Sequence, residues 1–329
     1  SASILIILSN QNFKKGIGYG IGGVILIGLQ PIVANSRPET LDSYIFAAMT
    51  VLIEALIFLP LFLFERYRFK RKIANESTLI TSSKSLEEYK SLLNGWKSKK
   101  NIVLIISIGL TFAIAQILFF IGYKEAGAIN GSLAQKTTVI FGLVFGYLIN
   151  KEDVNYIQII FSFILLFGLT TAITEGSYNL LNFNLGVVML LFVAIMWMLA
   201  HAFTKPIFEK NEATQTFMVF SRNAVGGIFL LSTYFLFYPL ENVNLLFEPI
   251  NIFYFVLMGA NYGFGLFCWY KVLAYLGTSK GTAMVSGTPL ITALFSTIFL
   301  GEQFTLFHLI GIILVICSVI VIVTQKEKE

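Results

Sequence analysis

Ten apolar segments run through this chain of 329 residues, each close to the length of about 20 residues that a helix needs to cross a bilayer. Soluble domains carry about 25% charged residues, whereas this chain is 12% charged and 56% hydrophobic. The segments lack the apolar–polar alternation of membrane β-barrel strands. The sequence therefore predicts an all-α polytopic membrane protein. The predicted spans are 16–36, 43–64, 102–122, 128–149, 155–174, 185–205, 214–237, 250–272, 281–300 and 305–324.

The loop after the second span sets the predicted orientation. Between positions 65 and 101 it holds ten of the chain's 23 Lys and Arg residues, and cytoplasmic loops are enriched in these residues. An even number of spans then places both termini in the cytoplasm, so that only Arg37 and Lys124 fall in outer loops. We expect a multi-pass protein of the plasma (inner) membrane, with a short surface helix around residues 86–93 of the basic loop.

The chain also contains an internal repeat. A shift of 150 residues aligns spans four and five with spans nine and ten, and a shift of 168 aligns spans one and two with six and seven. The difference of 18 residues corresponds to an insertion in the basic loop. The aligned pairs include Gly127 with Gly277, Gly131 with Gly281, Glu152 with Glu302, Lys136 with Ser286, and Glu54 with Arg222.

Each half has an odd number of spans, so the second half must enter the membrane in the opposite direction to the first. Inverted repeats of this kind are common in secondary transporters. The predicted organisation is a cytoplasmic N-terminus at 1–15, a first five-helix repeat at 16–175 containing the basic loop 65–101, and a second five-helix repeat with a short tail at 176–329.

The second half carries a sequence pattern that resembles a known family. It runs from Tyr270 through Thr288-Pro289-Leu290 to Phe299-Leu-Gly-Glu302, and the first half shows a weaker form that ends at Glu152. This pattern resembles the EamA family of the drug/metabolite transporter superfamily. The resemblance implies ten helices and export or exchange of small metabolites without ATP hydrolysis, and the chain contains no Gly-x-x-x-x-Gly-Lys phosphate loop.

Two departures from the family pattern affect the predicted detail. Val139 occupies the first-half position that matches Pro289, so span four is predicted to lack the kink expected in span nine. Members of the family tend to carry Arg in the second span of a repeat. Arg222 keeps that pattern in the second half, whereas Glu54 replaces it in the first.

Three charged side chains lie deep inside predicted spans, about two helical turns or more from either end: Glu54, Lys136 and Arg222. Such groups are costly in the membrane, so each is a candidate for solute recognition or proton coupling. Lys136 is the candidate for binding an anionic group, and Glu54 is the candidate for carrying a coupling proton. The structural alternative is that Glu54 and Arg222, which are equivalent under the repeat, pair with each other or with backbone groups.

Uncharged polar and aromatic residues extend this predicted substrate pathway. They are Gln30, Gln116, Asn261, Trp197 and Tyr262. The alternative for the amides is hydrogen bonding between helices, and for the aromatic residues it is plain packing. Pro31 is predicted to free the carbonyl of Ile27 near the centre of span one.

Small residues and glutamates mark the ends of spans four and nine. Gly127, Gly131, Gly277 and Gly281 form two Gly-x-x-x-Gly pairs, which favour close helix packing. Glu152 and Glu302 match the family's glutamate positions. They are predicted to bond at helix ends and loops, with gating as the alternative.

The sequence thus favours a secondary active transporter for a small organic metabolite, amino acid or drug-like solute, working by alternating access between the repeats. Its expected partners are this solute, membrane lipids and a coupling proton, with no nucleic acid, cofactor or metal. A phosphometabolite or nucleotide-sugar exchanger of the same superfamily is an alternative that Lys136 favours. A lipid-modifying membrane enzyme fits less well, because the chain has only two His residues.

Overall fold

The computed structural model describes residues 2–76, 83–179, 182–276 and 278–325. Within these ranges, ten helical segments are long and apolar enough to cross a membrane, and they coincide with the ten predicted spans. No strand is formed in the same ranges. The helices are α1 (Ala2–Ser36), α2 (Ser43–Glu76), α3 (Ser83–Asn94), α4 (Lys99–Ala126), α5 (Ala128–Ala134), α6 (Thr138–Asn150), α7 (Tyr156–Ile173), α8 (Leu185–Glu209), α9 (Gln215–Phe237), α10 (Pro249–Leu276), α11 (Thr278–Val285), α12 (Thr288–Phe299) and α13 (Leu306–Gln325). The all-α, ten-span prediction is confirmed.

The repeat is visible in how equivalent helices end. Lys151 after α6 and Gly301 after α12 are 150 positions apart, and both adopt left-handed backbone conformations with φ of 57° and 67°. The next residue in each half is a glutamate whose N–H donates back to the helix, from Glu152 to the Gly146 carbonyl and from Glu302 to the Ser296 carbonyl. These left-handed endings satisfy carbonyls that would otherwise lack partners at the helix end.

Equivalent helices also begin in the same way. At the start of α7, the Asn155 side chain accepts from the Gln158 N–H while the Gln158 side chain accepts from the Asn155 N–H. At the start of α13, Thr305 and His308 make the corresponding reciprocal pair. The starts of α7 and α13 therefore both carry a reciprocal side-chain cap, which satisfies backbone donors in the first turn. The two halves share local structure as well as sequence, in keeping with two inverted repeats.

The chain divides into two compact units, and each unit draws on both repeats. The first unit comprises Ser1–Glu39, Leu118–Ile195 and Ala260–Glu329, and the second comprises Thr40–Ile117 and Met196–Gly259. In the first unit α7 packs against α13, and in the second α2 packs against α9. Each of these pairs joins a helix to its own repeat equivalent. Such pairing is what a two-fold relation between the repeats produces inside each unit.

Glycines allow the α7–α13 pair to cross closely. A Cβ on Gly311 would lie 2.6 Å from the Gly168 carbonyl oxygen and 2.6 Å from the Ala172 Cβ. Small residues at a membrane helix crossing bring the two backbones together and increase van der Waals contact. The crossing thus depends on the missing side chain at Gly311.

The basic loop is folded in its described part. The short helix predicted around residues 86–93 is present as α3, and α2 continues well beyond its apolar span to Glu76. Leu93 of α3 is buried, while Glu87, Glu88 and Lys90 are exposed. The loop therefore contains an amphipathic helix with one face packed on the protein.

Replacing Gly311 with Ala is expected to destabilise the protein by about 1–3 kcal/mol, because the added methyl group overpacks the α7–α13 crossing. Thermal unfolding in detergent measures the change. Gly18→Ala is the matched control, since a Cβ there meets no atom within 4 Å. Equal melting temperatures for the two variants would contradict the proposed role of this crossing.

Candidate functional site

Spans four and nine are interrupted at equivalent positions. In span four a short 3₁₀ segment, Gln135–Thr137, separates α5 from α6. In span nine, α11 ends at Val285 and α12 begins at Thr288. Interrupted helices in corresponding positions of the two halves are a mark of binding sites in inverted-repeat transporters, because they expose backbone groups within the membrane.

Span four is interrupted although it lacks the proline that predicted a kink in span nine. Span nine has Pro289 in the first turn of α12, as its sequence predicts. Span four has no proline, but adjacent threonines act on the backbone instead. The Thr137 hydroxyl donates to the Ala134 carbonyl and the Thr138 hydroxyl to the Gln135 carbonyl, at 2.7 and 2.8 Å. Hydroxyls that bind nearby carbonyls compete with regular helical bonding, so the threonine pair was the available sequence signal.

Lys136 joins the two interruptions within the first unit. Its Nζ donates to the carbonyl of Val285, the last residue of α11, at 3.0 Å. The carbonyls in the last turn of a helix lack intrahelical partners and carry partial negative charge, so an ammonium group suits this position. Lys136 keeps some accessible surface. An ammonium has three donors, which leaves capacity for a bound acceptor.

The first unit also buries polar side chains on α1 and α10. Gln30 and Asn261 are 8% and 6% exposed, and the Asn261 Oδ1 has no hydrogen-bond partner among the described residues. The Gln30 Nε2 lies 3.7 Å from the point where a Gly265 Cβ would be, so Gly265 makes room for the amide. The Tyr262 ring contacts Phe119 edge-on, with centroids 5.7 Å apart. These residues carry the polar character of α1 and α10.

A side-chain contact with α12 is formed in the part of α1 that precedes Pro31. Helix α1 continues through Pro31 to Ser36. The Thr292 hydroxyl of α12 donates to the Gly28 carbonyl at 2.8 Å, and both residues are buried. The contact ties α1 to α12 at the level where Pro31 removes a backbone donor.

Glu54 and Arg222 lie in the second unit, on the packed pair α2 and α9. The Glu54 side chain is 4% exposed, and Arg222 is close enough to interact with it electrostatically. Within the described part of the chain, however, the two do not form an ion pair within 4.0 Å. The Asn223 amide faces the carboxyl, although its Nδ2 completes no hydrogen bond of normal geometry. The simple structural alternative, a direct Glu54–Arg222 pair, is therefore not what this conformation contains.

Arg222 instead lies on an aromatic ring. Its guanidinium carbon is 4.0 Å from the centroid of Phe112, a cation–π distance. The same ring stacks with Trp197 at 6.4 Å and meets His201 edge-on at 5.7 Å. We call Phe112, Trp197, His201 and Arg222 the arginine–aromatic cluster. Phe112 had no distinguishing sequence signal, because it is one aromatic residue in an apolar run.

A close helix crossing supports the cluster. A Cβ on Gly109 would lie 2.9 Å from the Val225 side chain and 3.1 Å from the Arg222 carbonyl oxygen. Helices α4 and α9 therefore approach closely at Gly109. Phe112 follows one helical turn later, which brings its ring beneath the Arg222 side chain.

The second unit also holds polar donors without partners. Among its described residues, the Gln116 Nε2, the Arg222 Nε and the Asn223 Nδ2 are buried atoms with no hydrogen-bond acceptor in the structure. Buried donors normally find a partner, so each requires an acceptor such as water or a bound oxygen atom. Together with the aromatic cluster, they provide hydrogen-bond donors, a cation and flat apolar surfaces.

Glu302 caps the start of span four. Its two carboxylate oxygens accept from the N–H groups of Ala128 and Ile129, at 2.6 and 3.0 Å, in the first turn of α5. His308 adds a second tie, since its Nε2 lies 3.2 Å from the Asn130 Oδ1. The sequence indicated helix-end bonding for Glu302 but missed His308 and Asn130. These contacts hold the start of α5 to the loop and helix of the other repeat.

The remaining predicted helix-end residues take different positions. Glu152 follows α6, and its carboxylate lies 2.9 Å from the Cβ position of Gly146. Gly127 precedes α5 with φ of +82°, which favours glycine, and Gly281 is buried in α11. A Cβ on Gly131 would lie 2.5 Å from the Tyr123 ring, so this glycine permits close packing. Gly277 lies outside the described residues.

Among the described residues, no group of three His, Cys, Asp or Glu side chains is placed to hold a metal ion. The embedded polar groups are cationic, amide and aromatic, with one carboxylate at Glu54.

Ten spans, two inverted repeats and paired helix interruptions define a polytopic membrane transporter. The profile of the EamA-like transporter family matches residues 14–174 and again 184–324, and the chain belongs to this family. The double match confirms the resemblance inferred from sequence and coincides with its two halves.

Individual relatives agree with the family assignment. An uncharacterized transporter of Methanothermobacter thermautotrophicus is 24% identical over 69% of this chain, which spans 65% of that relative's length. The uncharacterized transporter YyaM of Bacillus subtilis is 23% identical over 68% of this chain and 73% of its own. A solved crystal structure that is 13% identical aligns over 96% of this chain and 100% of its own with a TM-score of 0.59, which shows a common fold.

Replacing Glu302 with Ala is expected to lower stability by about 1–3 kcal/mol, because two backbone donors of α5 lose a charged acceptor. Thermal unfolding in detergent measures the loss. Glu125→Ala removes an exposed carboxylate at the end of α4 and serves as the control. A Glu302→Ala variant that unfolds at the same temperature as the control would show that the cap is not stabilising.

Proposed function

We propose that this protein is a secondary active transporter that moves a small organic solute across the plasma (inner) membrane by alternating access between its two repeats. The observation that carries the proposal is the Lys136–Val285 contact, which joins equivalent interruptions of spans four and nine. Inverted-repeat transporters place their binding sites at such interrupted helices. An embedded cation is costly unless it serves binding or structure.

The available groups favour particular solutes. In the first unit Lys136 is a cation within a span. In the second unit Arg222 is a cation within a span, and the Gln116 Nε2 is a buried donor with no acceptor among the described residues. A solute with a carboxylate or another oxygen acceptor would match the donors of either unit. The arginine–aromatic cluster would suit an apolar portion of a solute bound in the second unit. Metabolites, amino acids and drug-like anions meet these requirements, and a phosphometabolite or nucleotide sugar is the alternative.

Glu54 is our proposed carrier of a coupling proton. Its carboxyl is buried in the span and lacks a direct ion pair with Arg222 among the described residues. A carboxyl in this setting can gain or lose a proton without breaking an ion pair, which is a requirement for coupling. A solute gradient would be the driving force in an exchanger, where Glu54 would only shape the pathway.

Counter-flow in proteoliposomes tests the function. A carrier loaded with unlabelled solute should accelerate uptake of labelled solute, whereas an enzyme or receptor should not. Candidate solutes come from thermal stabilisation of the purified protein, because a solute at about 100 times its dissociation constant should stabilise by about 2.7 kcal/mol. Amino acids, organic anions, phosphorylated metabolites and cations form the screen, and a phosphorylated solute as the only substrate would select the exchanger.

Lys136→Met is expected to weaken solute binding and counter-flow by about 10- to 100-fold, the range for a lost hydrogen bond to a charged group. Lys124→Met, at an exposed position in the last turn of α4, should retain both. Glu54→Gln is expected to abolish proton-driven uptake while solute exchange persists, with Glu125→Gln as control. Unchanged transport by both embedded variants, with normal folding, would reject this assignment of roles.

Cysteine labelling tests the proposed orientation. In a background with Cys268 and Cys317 replaced by Ser, Glu87→Cys in the basic loop should react with an impermeant maleimide only after cells are permeabilised. Asn244→Cys, in the loop between α9 and α10, should react in intact cells. Both positions are exposed. The reverse pattern would place the termini outside.

A further inference from the structure

The membrane end of α2 carries a concentration of positive charge. Residues 65–101 hold ten Lys or Arg and four Glu, a net charge of +6, whereas the whole chain has a net charge of +5. Helix α2 does not stop where its apolar part ends at Phe64 but continues to Glu76 as one helix. Arg68, Lys70 and Arg71 therefore project from a rigid element, and all three are exposed.

The level of these residues follows from helix geometry. The 20 residues from Ile45 to Phe64 span about 30 Å, the thickness of the hydrocarbon core. Phe64 and Tyr67 are 61% and 62% exposed, and aromatic residues of this kind are enriched where the core meets the headgroups. Arg68 to Lys72 consequently fall at headgroup level.

Helix α3 folds back against this extension and is anchored there. Its Tyr89 ring packs on Phe69 with centroids 5.5 Å apart, and its hydroxyl lies 2.8 Å from the Lys72 Nζ. Arg66 donates to the Leu93 carbonyl at 3.3 Å. The loop in its described part is thus a defined surface of the second unit.

Most glutamates near this surface are engaged by partners in the protein. Glu65 accepts from the Thr214 hydroxyl at 2.6 Å, and Glu88 accepts from the Asn211 amide at 3.1 Å. Glu212 accepts from the Asn101 amide at 2.7 Å. Arg68 interacts electrostatically with Glu65, and the other exposed cations of this surface form no ion pair within 4.0 Å among the described residues. The basic membrane surface, as we call it, comprises Arg68, Lys70, Arg71, Lys90, Lys99 and Lys100.

We propose that the basic membrane surface binds the phosphate-bearing headgroups of anionic lipids in the membrane that holds the protein. Charge complementarity and headgroup-level placement both support this occupant, since basic residues next to a span attract anionic lipids. The surface lies outside the membrane-embedded polar groups discussed above. Its role is therefore independent of which solute is carried.

Binding of fluorescent phosphatidylglycerol to the purified full-length protein in neutral detergent tests the proposal, with labelled phosphatidylcholine for comparison. Each surface cation contributes about a fivefold preference. The triple variant R68Q/K70Q/R71Q should therefore lose most of the preference for phosphatidylglycerol, a fall of about 100-fold. High salt should weaken wild-type binding in the same direction.

The matched control is K14Q/K15Q/K151Q, which removes three exposed cations elsewhere in the chain. It should keep the preference, and normal melting temperatures should show that both triple variants are folded. Equal lipid binding by the wild type and the first variant would overturn the proposal. Competition by millimolar inorganic phosphate would assign the surface to soluble anions instead of lipids. Loss of preference without loss of counter-flow would separate this surface from solute transport.

Discussion

Hydrogen bonding of the backbone within lipid is the constraint on which this structure depends. A polar backbone group in the hydrocarbon core must find its partner inside the protein, so an interrupted span is possible only where other groups complete it. In span four, the hydroxyls of Thr137 and Thr138 take the carbonyls left by the 3₁₀ segment. In span nine, the free end of α11 receives the Lys136 ammonium. The two interruptions thus stabilise each other through the contact of Lys136 with Val285.

The repeat relation explains why such mutual contacts arise. Within each compact unit, helices pack against their own equivalents, as α7 does with α13 and α2 with α9. A helix that packs against its own repeat equivalent meets it at the same depth in the membrane. Equivalent positions such as Lys136 and Ser286 therefore belong to interruptions that meet, although their side chains differ. The sequence difference between the halves lets one symmetric framework hold a cation on one side only.

Sequence alone predicted the spans, the repeat and α3, because these depend on the length and period of apolar runs. The interruption of span four was missed, since no proline marks it and threonine bonding becomes evident only with the backbone in place. The arginine–aromatic cluster was also beyond sequence, because Phe112 and Arg222 are far apart in the chain and meet through the Gly109 crossing. His308 resembled any residue near a helix start until its contact with Asn130 was known.

The glutamates at the ends of spans four and nine occupy equivalent positions in the two repeats. Glu302 fastens the first turn of α5 to the opposite repeat, so the two must part if that end of the protein is to open. Glu152 is its equivalent in the inverted repeat and follows α6 at the other end of span four. In an inverted repeat, equivalent residues of the two halves lie toward opposite faces of the membrane. Under the alternating access that we propose, the two Glu302 contacts with α5 would break in one of the two states. Lys136 lies between this end of span four and Glu152 at its other end.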